Sequence, residues 1–230
     1  MHLKAVRDRI RALELQYQRP VGSVRLLAVS KACSVEQILA AAAGGQVDFG
    51  ENYLQEAMTK ISQLDSRHLT WHFIGPVQSN KTRSIAQHFS WVHSLDRTKI
   101  AVRLDRHRHT LSLPPLNVCI QVNLDGETTK SGIAPEKVME FAAQFAQWPA
   151  LKLRGLMSLP RPLSRLEDQR LQHRLMRRLF DSLVDAGYKL DTLSMGTSND
   201  MEAAIAEGTT LVRIGTALFG KRPNRVDNID

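Results

Sequence analysis

The chain has 230 residues, a formal charge of +8 and 43% hydrophobic residues, enough for one barrel-sized core. No apolar run approaches the roughly 20 residues a membrane helix needs. The two cysteines, Cys33 and Cys119, offer neither a disulfide framework nor a cysteine-built metal site, and read as free thiols of a reducing compartment.

The first stretch, "MHLKAVRDRIRALELQYQRP", spaces Leu3, Val6, Ile10 and Leu13 as one helical face between charges. It lacks the unbroken apolar centre of a signal peptide, so an amphipathic N-terminal helix and a cytoplasmic protein are expected. Short apolar runs then alternate with amphipathic ones. "RLLAVS" from Arg25 is followed by "SVEQILAAAAGG", and "VDFG" from Val47 by "NYLQEAMTKISQL". "WHFIG" from Trp71 precedes "QSNKTRSIAQHF", and "WVHSL" from Trp91 precedes "DRTKIAVRLDRHRH". "NVCIQVN" from Asn117 leads to "PEKVMEFAAQFAQ", and "LRGLMSL" from Leu153 to a long Arg/Leu stretch. "DTLSMG" from Asp191, "SNDMEAAIAEG" and "LVRIG" from Leu211 complete the series.

Strand–helix alternation argues for a parallel sheet. Eight such strands fit a single (β/α)8 TIM-type barrel of the α/β class, with an extra N-terminal helix, over residues 1–230 as one domain. No G-x-G-x-x-G follows the first strand, which weighs against a dinucleotide-binding sheet.

Several segments invite other readings. In "RPLSRLEDQRLQHRLMRRLF", Arg170, Arg174, Arg177 and Arg178 read as a solvated helix face, and Leu171, Leu175, Leu179 and Leu183 as its buried stripe. No aromatic interleaving marks a nucleic-acid platform. "GPVQSNKT" from Gly75 has the outline of a phosphate loop, but Asn80 takes the place of its second glycine. His68 and His72 lack a third zinc ligand, and "RHRH" from Arg106 reads as a solvated loop.

The strand ends are the informative part, because such barrels build their sites there. The ends offer Lys31, Glu51 with Asn52, Ser94, Asn123, Met157 with Ser158, then Ser194, Gly196 and Ser198, and finally Arg213, Gly215 and Thr216. The last two loops pair a glycine turn with hydroxyls beside a helix or turn start, a means of holding phosphate. Taken alone, each loop fits a tight turn or a Ser198 helix cap as well; both at these two strands favour phosphate. Lys31 fits two roles on spacing alone, a side chain reaching solvent or a nucleophilic amine in the barrel mouth.

With these residues assembled, the chain closely resembles the pyridoxal phosphate homeostasis protein family (the YggS type). The resemblance is carried by "LLAVSK", "FGENYLQEA", "WHFIGPVQSNK", "KSGI" at Lys130, "LRGLMSLP", "LSMGTSNDMEAAI" and "VRIGTALFG". It implies a fold-type III barrel similar to the N-terminal barrel of alanine racemase, binding pyridoxal 5'-phosphate (PLP) as a Schiff base, an internal aldimine on Lys31. By the same resemblance, Ser194, Gly196, Ser198, Gly215 and Thr216 hold the phosphate and Arg213 faces the pyridine nitrogen. Asn52 lines the site, with His72 and Met157 near the ring. Two places depart from the family: "ACS" after Lys31, and Thr197 where methionine is common.

A guanidinium donates to the ring nitrogen without supplying a counter-charge, so the ring is a weaker electron sink. The resemblance therefore implies a carrier or regulator with little or no turnover: a cytoplasmic monomer that takes PLP and related B6 vitamers, with apo PLP enzymes as candidate recipients. "KRPNRVDNID" after Gly220 is too short to supply a second catalytic domain. The alternative, an amino-acid racemase, needs an acid or base opposite Lys31. Tyr17 and Tyr188 sit in helical regions and Tyr53 opens a helix, so none supplies it. No catalytic residue and no metal are expected.

Overall fold

The structure is a computed structural model that describes residues 2–64, 68–126 and 131–220. Eight parallel strands close into a barrel in chain order. They are β1 Arg25–Val29, β2 Asp48–Glu51, β3 Thr70–Phe73, β4 Trp91–Leu95, β5 Leu116–Val122, β6 Leu151–Ser158, β7 Thr192–Ser194 and β8 Leu211–Ile214. β8 closes onto β1 with Arg213 opposite Leu27. Every expected strand is present.

α1 Leu3–Gln16 precedes the strands, and α2 Val35–Ala43, α3 Leu54–Leu64, α4 Thr82–His88, α5 Thr98–Thr110, α6 Val138–Ala143, α7 Leu166–Asp185, α8 Met201–Ala206 and α9 Thr216–Phe219 each follow one. α1 buries Leu3, Val6, Ile10 and Leu13, as their spacing predicts. α2 starts at a reciprocal cap, the Ser34 side chain accepting from Gln37 N–H and the Gln37 side chain from Ser34 N–H. Among the described residues no helix is long and apolar enough to cross a membrane.

Two expectations are corrected. "RHRH" is the last turn of α5, not a loop, and its Arg108 is buried, donating to the carbonyls of Pro114, Ala86 and Phe89. In α7 the buried face is His173, Met176, Phe180 and Leu183, while Leu171 and Leu175 are 56% and 46% exposed. The helix is turned because Arg170 and Arg174 reach Glu207 just past α8, with their Nε atoms 2.8 and 3.0 Å from its carboxylate. Gly75 makes no phosphate loop. A Cβ there would stand 2.1 Å from the Asn52 carbonyl oxygen, so the glycine lets the end of β3 close on the end of β2.

The main apolar core lies between the outer face of the sheet and the helices, where Phe49, Ile85, Leu104 and Ile120 are fully buried. Burying each such side chain stabilises the fold by about 1.5–3 kcal/mol. A second cluster, Trp91, Cys119 and Met157, is separate from it. The barrel's inside also holds a set of buried polar side chains, His72, His93, Ser194 and Arg213. His93 on β4 reaches Ser194 on β7 at 2.9 Å, a contact possible only across the barrel.

Candidate functional site

At the C-terminal ends of the strands lies a pocket of about 440 Å³, walled by Lys31, Asn52, Ser198, Arg213, Gly215 and Thr216 with Val29, Ile74 and Leu159. Among the described residues two cations and no acidic side chain line it, so it favours an anion. A hollow of about 290 Å³ adjoins it, sharing Asn52, Ile74 and Leu159 and adding Gln121 and Asn123.

Lys31 enters the wall from a braced turn. β1 ends at Val29, and Ser30 N–H still donates to Gly50 O, as a ladder residue would. Ala32 then takes a left-handed φ of +58°, unfavourable for a residue with a Cβ. The strain is held from below. The Lys60 ammonium, 4% exposed, donates to Ser30 O at 2.7 Å, Glu51 Oε1 at 2.8 Å and Glu56 Oε1 at 2.6 Å. Glu56 Oε1 also accepts the Ala32 N–H, and Glu51 Oε1 accepts the Ser30 hydroxyl. Burial pushes the Glu51 carboxyl up, against the pull of Lys60.

The phosphate-type loop is fixed in the same manner. Asp200 Oδ1 accepts both the N–H and the hydroxyl of Thr197, at 2.7 and 2.6 Å, while Asp200 Oδ2 meets His173 Nε2 at 3.0 Å. Burial pushes Asp200 up, but the hydrogen bonds from His173 and Thr197 outweigh it and bring it to about 2. The family departure at Thr197 thus gains a hydrogen bond. α8 begins only at Met201, so Ser198 is not its cap and stands in the pocket wall. Gly196, at φ +92°, lies behind this wall; a Cβ would come 2.5 Å from Ala204 Cβ on α8. Gly215 caps the short α9, its carbonyl accepting from Leu218 and Phe219 N–H.

Arg213 is 4% exposed, yet it borders the pocket. Its Nη1 donates to Ser194 O and Oγ at 2.6 and 2.7 Å, and its Nη2 to Ser158 O at 2.7 Å. Burial lowers it to about 10, which leaves it protonated at neutral pH. Asn52 Oδ1 is buried without a hydrogen-bond partner among the described residues, an acceptor open to a ligand.

Six of the ten residues expected at the site therefore meet around one pocket: Lys31, Asn52, Ser198, Arg213, Gly215 and Thr216. Four do not line it. Ser194 is fully buried beneath Arg213, which takes both its oxygens. His72 is fully buried inside the barrel, bonded to Asp48 and His93 and stacked on Trp91. Met157 packs with Trp91 and Cys119, and Gly196 shapes the wall from behind. Strand position places Ser194, His72 and Met157 near the mouth, but the pleat points their side chains into the barrel. Lys130 of "KSGI" and the segment after Gly220 lie outside the described residues.

Sequence reading missed Asp48, Glu56, Lys60, His93, His173 and Asp200. One signal was available: Lys60 falls in the buried stripe of Ala57, Ile61 and Leu64, where a lone lysine must have partners.

The profile of the family described as "Alanine racemase, N-terminal domain" matches residues 1–223. The pyridoxal phosphate homeostasis protein of Pseudomonas aeruginosa is 53% identical over 221 residues, 96% of this chain and 94% of that protein. Its Escherichia coli counterpart is 48% identical over 224 residues, 96% of this chain and 95% of that one. Among solved structures, PipY of Synechococcus elongatus with PLP bound matches with a TM-score of 0.81 at 37% identity, covering 91% of this chain and 98% of that one.

Proposed function

We propose, from the premise that the chain belongs to the alanine racemase N-terminal domain family and within it to the pyridoxal phosphate homeostasis proteins, that it binds PLP and serves its homeostasis. One observation carries the reading: Lys31 from the end of β1, Ser198 from the end of β7, and Arg213 and Thr216 from the end of β8 share one cationic pocket.

The residues present suit that ligand. PLP supplies an aldehyde that condenses reversibly with an amine, and a phosphate that needs donors. Among the described residues Lys31 is the lysine in the pocket wall, and it provides the amine. Ser198, Gly215 and Thr216 provide hydroxyls and backbone for the phosphate, from the ends of β7 and β8. Arg213 has donors left over for a ring nitrogen, and Asn52 Oδ1 has an unmet acceptor.

Arg213 at that nitrogen favours storage over catalysis, because a guanidinium donates a hydrogen bond without giving up a proton. We read the chain as one PLP-binding barrel, a cytoplasmic monomer that releases PLP to apo-enzymes. Titration with PLP and with pyridoxal, followed by visible absorbance, tests this. PLP should bind at least about tenfold more tightly than pyridoxal, the worth of one phosphate contact. Equal affinity, or no new absorbance with either, would overturn it.

A further inference from the structure

We infer that His93 and Ser194, driven from Asp48 through His72, are positioning residues for Arg213: a one-way hydrogen-bond chain through the barrel fixes the guanidinium edge that faces the mouth pocket. The inference deepens the PLP reading and rests on Arg213 being the group that meets the bound ring.

The chain crosses the molecule from one face to the other. Asp48 on β2 borders a cavity of about 330 Å³ at the N-terminal ends of the strands, shared with Arg7, Glu14 and Arg25. Its Oδ1 lies 3.0 Å from His72 Nε2, and His72 Nδ1 lies 2.9 Å from His93 Nε2. His93 Nδ1 lies 2.9 Å from Ser194 Oγ, which accepts from Arg213 Nη1 at 2.7 Å. Arg213 then borders the pocket at the other end.

Chemistry at the two ends allows one direction. Arg213 has no acceptor, so the Ser194 hydroxyl must receive there and donate away, to His93 Nδ1. His93 then carries its proton on Nε2 and donates to His72 Nδ1. His72 in turn carries its proton on Nε2 and donates to Asp48. The carboxylate only accepts, which agrees with the order set from the other end. Reversal would leave the Ser194 hydrogen facing the guanidinium, with no acceptor.

The surroundings keep these states. Burial holds both imidazoles below their ordinary value, His93 well below, with His72, Arg213 and Arg25 adding repulsion. Burial pushes the Cys119 thiol up to about 12, so it is neutral. Arg25 is engaged by Thr192, and Arg154 by Asp191 and Asn117, so neither donates into the chain. All four links have a donor and an acceptor, and such chains polarise each bond in the same sense.

The consequence falls on Arg213. Of its five N–H groups, three are committed to Ser194 and Ser158, which stops the plane from turning. The Nε–H and one Nη2–H remain for a ligand.

The experiment uses the PLP-loaded protein labelled with nitrogen-15 histidine, and a Ser194→Ala variant. Nitrogen shifts should show His72 and His93 both protonated on Nε2 and bare on Nδ1 at neutral pH. Ser194→Ala should shift the visible absorbance maximum and release PLP about tenfold faster. Its affinity for inorganic phosphate, read by competition, should be unchanged, which general loosening of the fold would not allow. His93 protonated on Nδ1, or a folded variant with unchanged absorbance and release, overturns the inference. If Ser194→Ala does not fold, the tautomers alone decide. Wild-type protein without PLP absorbance would instead overturn the PLP reading, and the tautomers would still test the chain.

Discussion

Lys60 Nζ donates to the carbonyl of Ser30 at 2.7 Å, so the residue just before Lys31 is held by a second, buried lysine. The same ammonium pairs with both Glu51 and Glu56, and Glu56 in turn accepts the N–H of Ala32 just after Lys31. The turn carrying the candidate nucleophile is thus clamped on both sides.

Lys60→Met should therefore cost much more than a surface lysine would. It leaves Glu51 buried and uncompensated, a loss of about 3–5 kcal/mol. Urea unfolding would measure it. Adding Glu51→Gln should restore part of the loss, since the unpaired charge is then gone. A Lys60→Met protein as stable as wild type would contradict the clamp.

Gly196→Ala should be destabilising for two separable reasons. The backbone sits at φ +92°, and a new Cβ would lie 2.5 Å from Ala204 Cβ. The conformational part is worth about 1–3 kcal/mol. Combining it with Ala204→Gly should relieve the clash and leave the strain, so denaturation should show partial rescue.

Stability should fall as the solution is acidified below about pH 6.5. His72 and His93 have folded values below 6.5, so the unfolded chain binds protons first. Each buried imidazole then removes up to about 1.4 kcal/mol per pH unit, until it is protonated in the fold. The charged groups acting on the pair are Arg25 on β1, Asp48 on β2 and Arg213 on β8. A second loss belongs to Asp200. Its folded value of about 2 lies below the ordinary 3.8, so its contribution is present above 3.8 and lost toward pH 2. Denaturation curves at a series of pH values, with His93→Phe flattening the first loss, would check this.

Ser198→Ala and Thr216→Ala should each weaken PLP retention by about tenfold, the worth of one hydrogen bond to a charged group. Neither should change the affinity for pyridoxal, which has no phosphate. Equilibrium dialysis of both ligands separates the outcomes, and unchanged PLP retention in both variants would contradict the phosphate assignment.

The barrel was legible because each strand is a short apolar run whose polar end marks the mouth. Lys31, Ser198 and Thr216 could be placed at one face from that regularity alone. The rotation of α7 was not legible, since two helical stripes, one of leucines and one of His173, Met176 and Phe180, have the same period. Its choice depends on Glu207, which lies 33 positions beyond Arg174. The polar interior was hidden for a related reason. Alternation along a strand tells which residues share a face, but not that His93 meets Ser194, 101 positions away. Pockets and chains that cross a barrel are set by closure, which no single segment contains.

The most direct measurement is a mass spectrum of PLP-saturated protein after borohydride reduction, with peptide mapping. The account predicts one PLP-sized adduct on the peptide containing Lys31, absent from Lys31→Ala. An adduct on another lysine such as Lys60 or Lys81, or no adduct on a protein that still binds PLP, would contradict it.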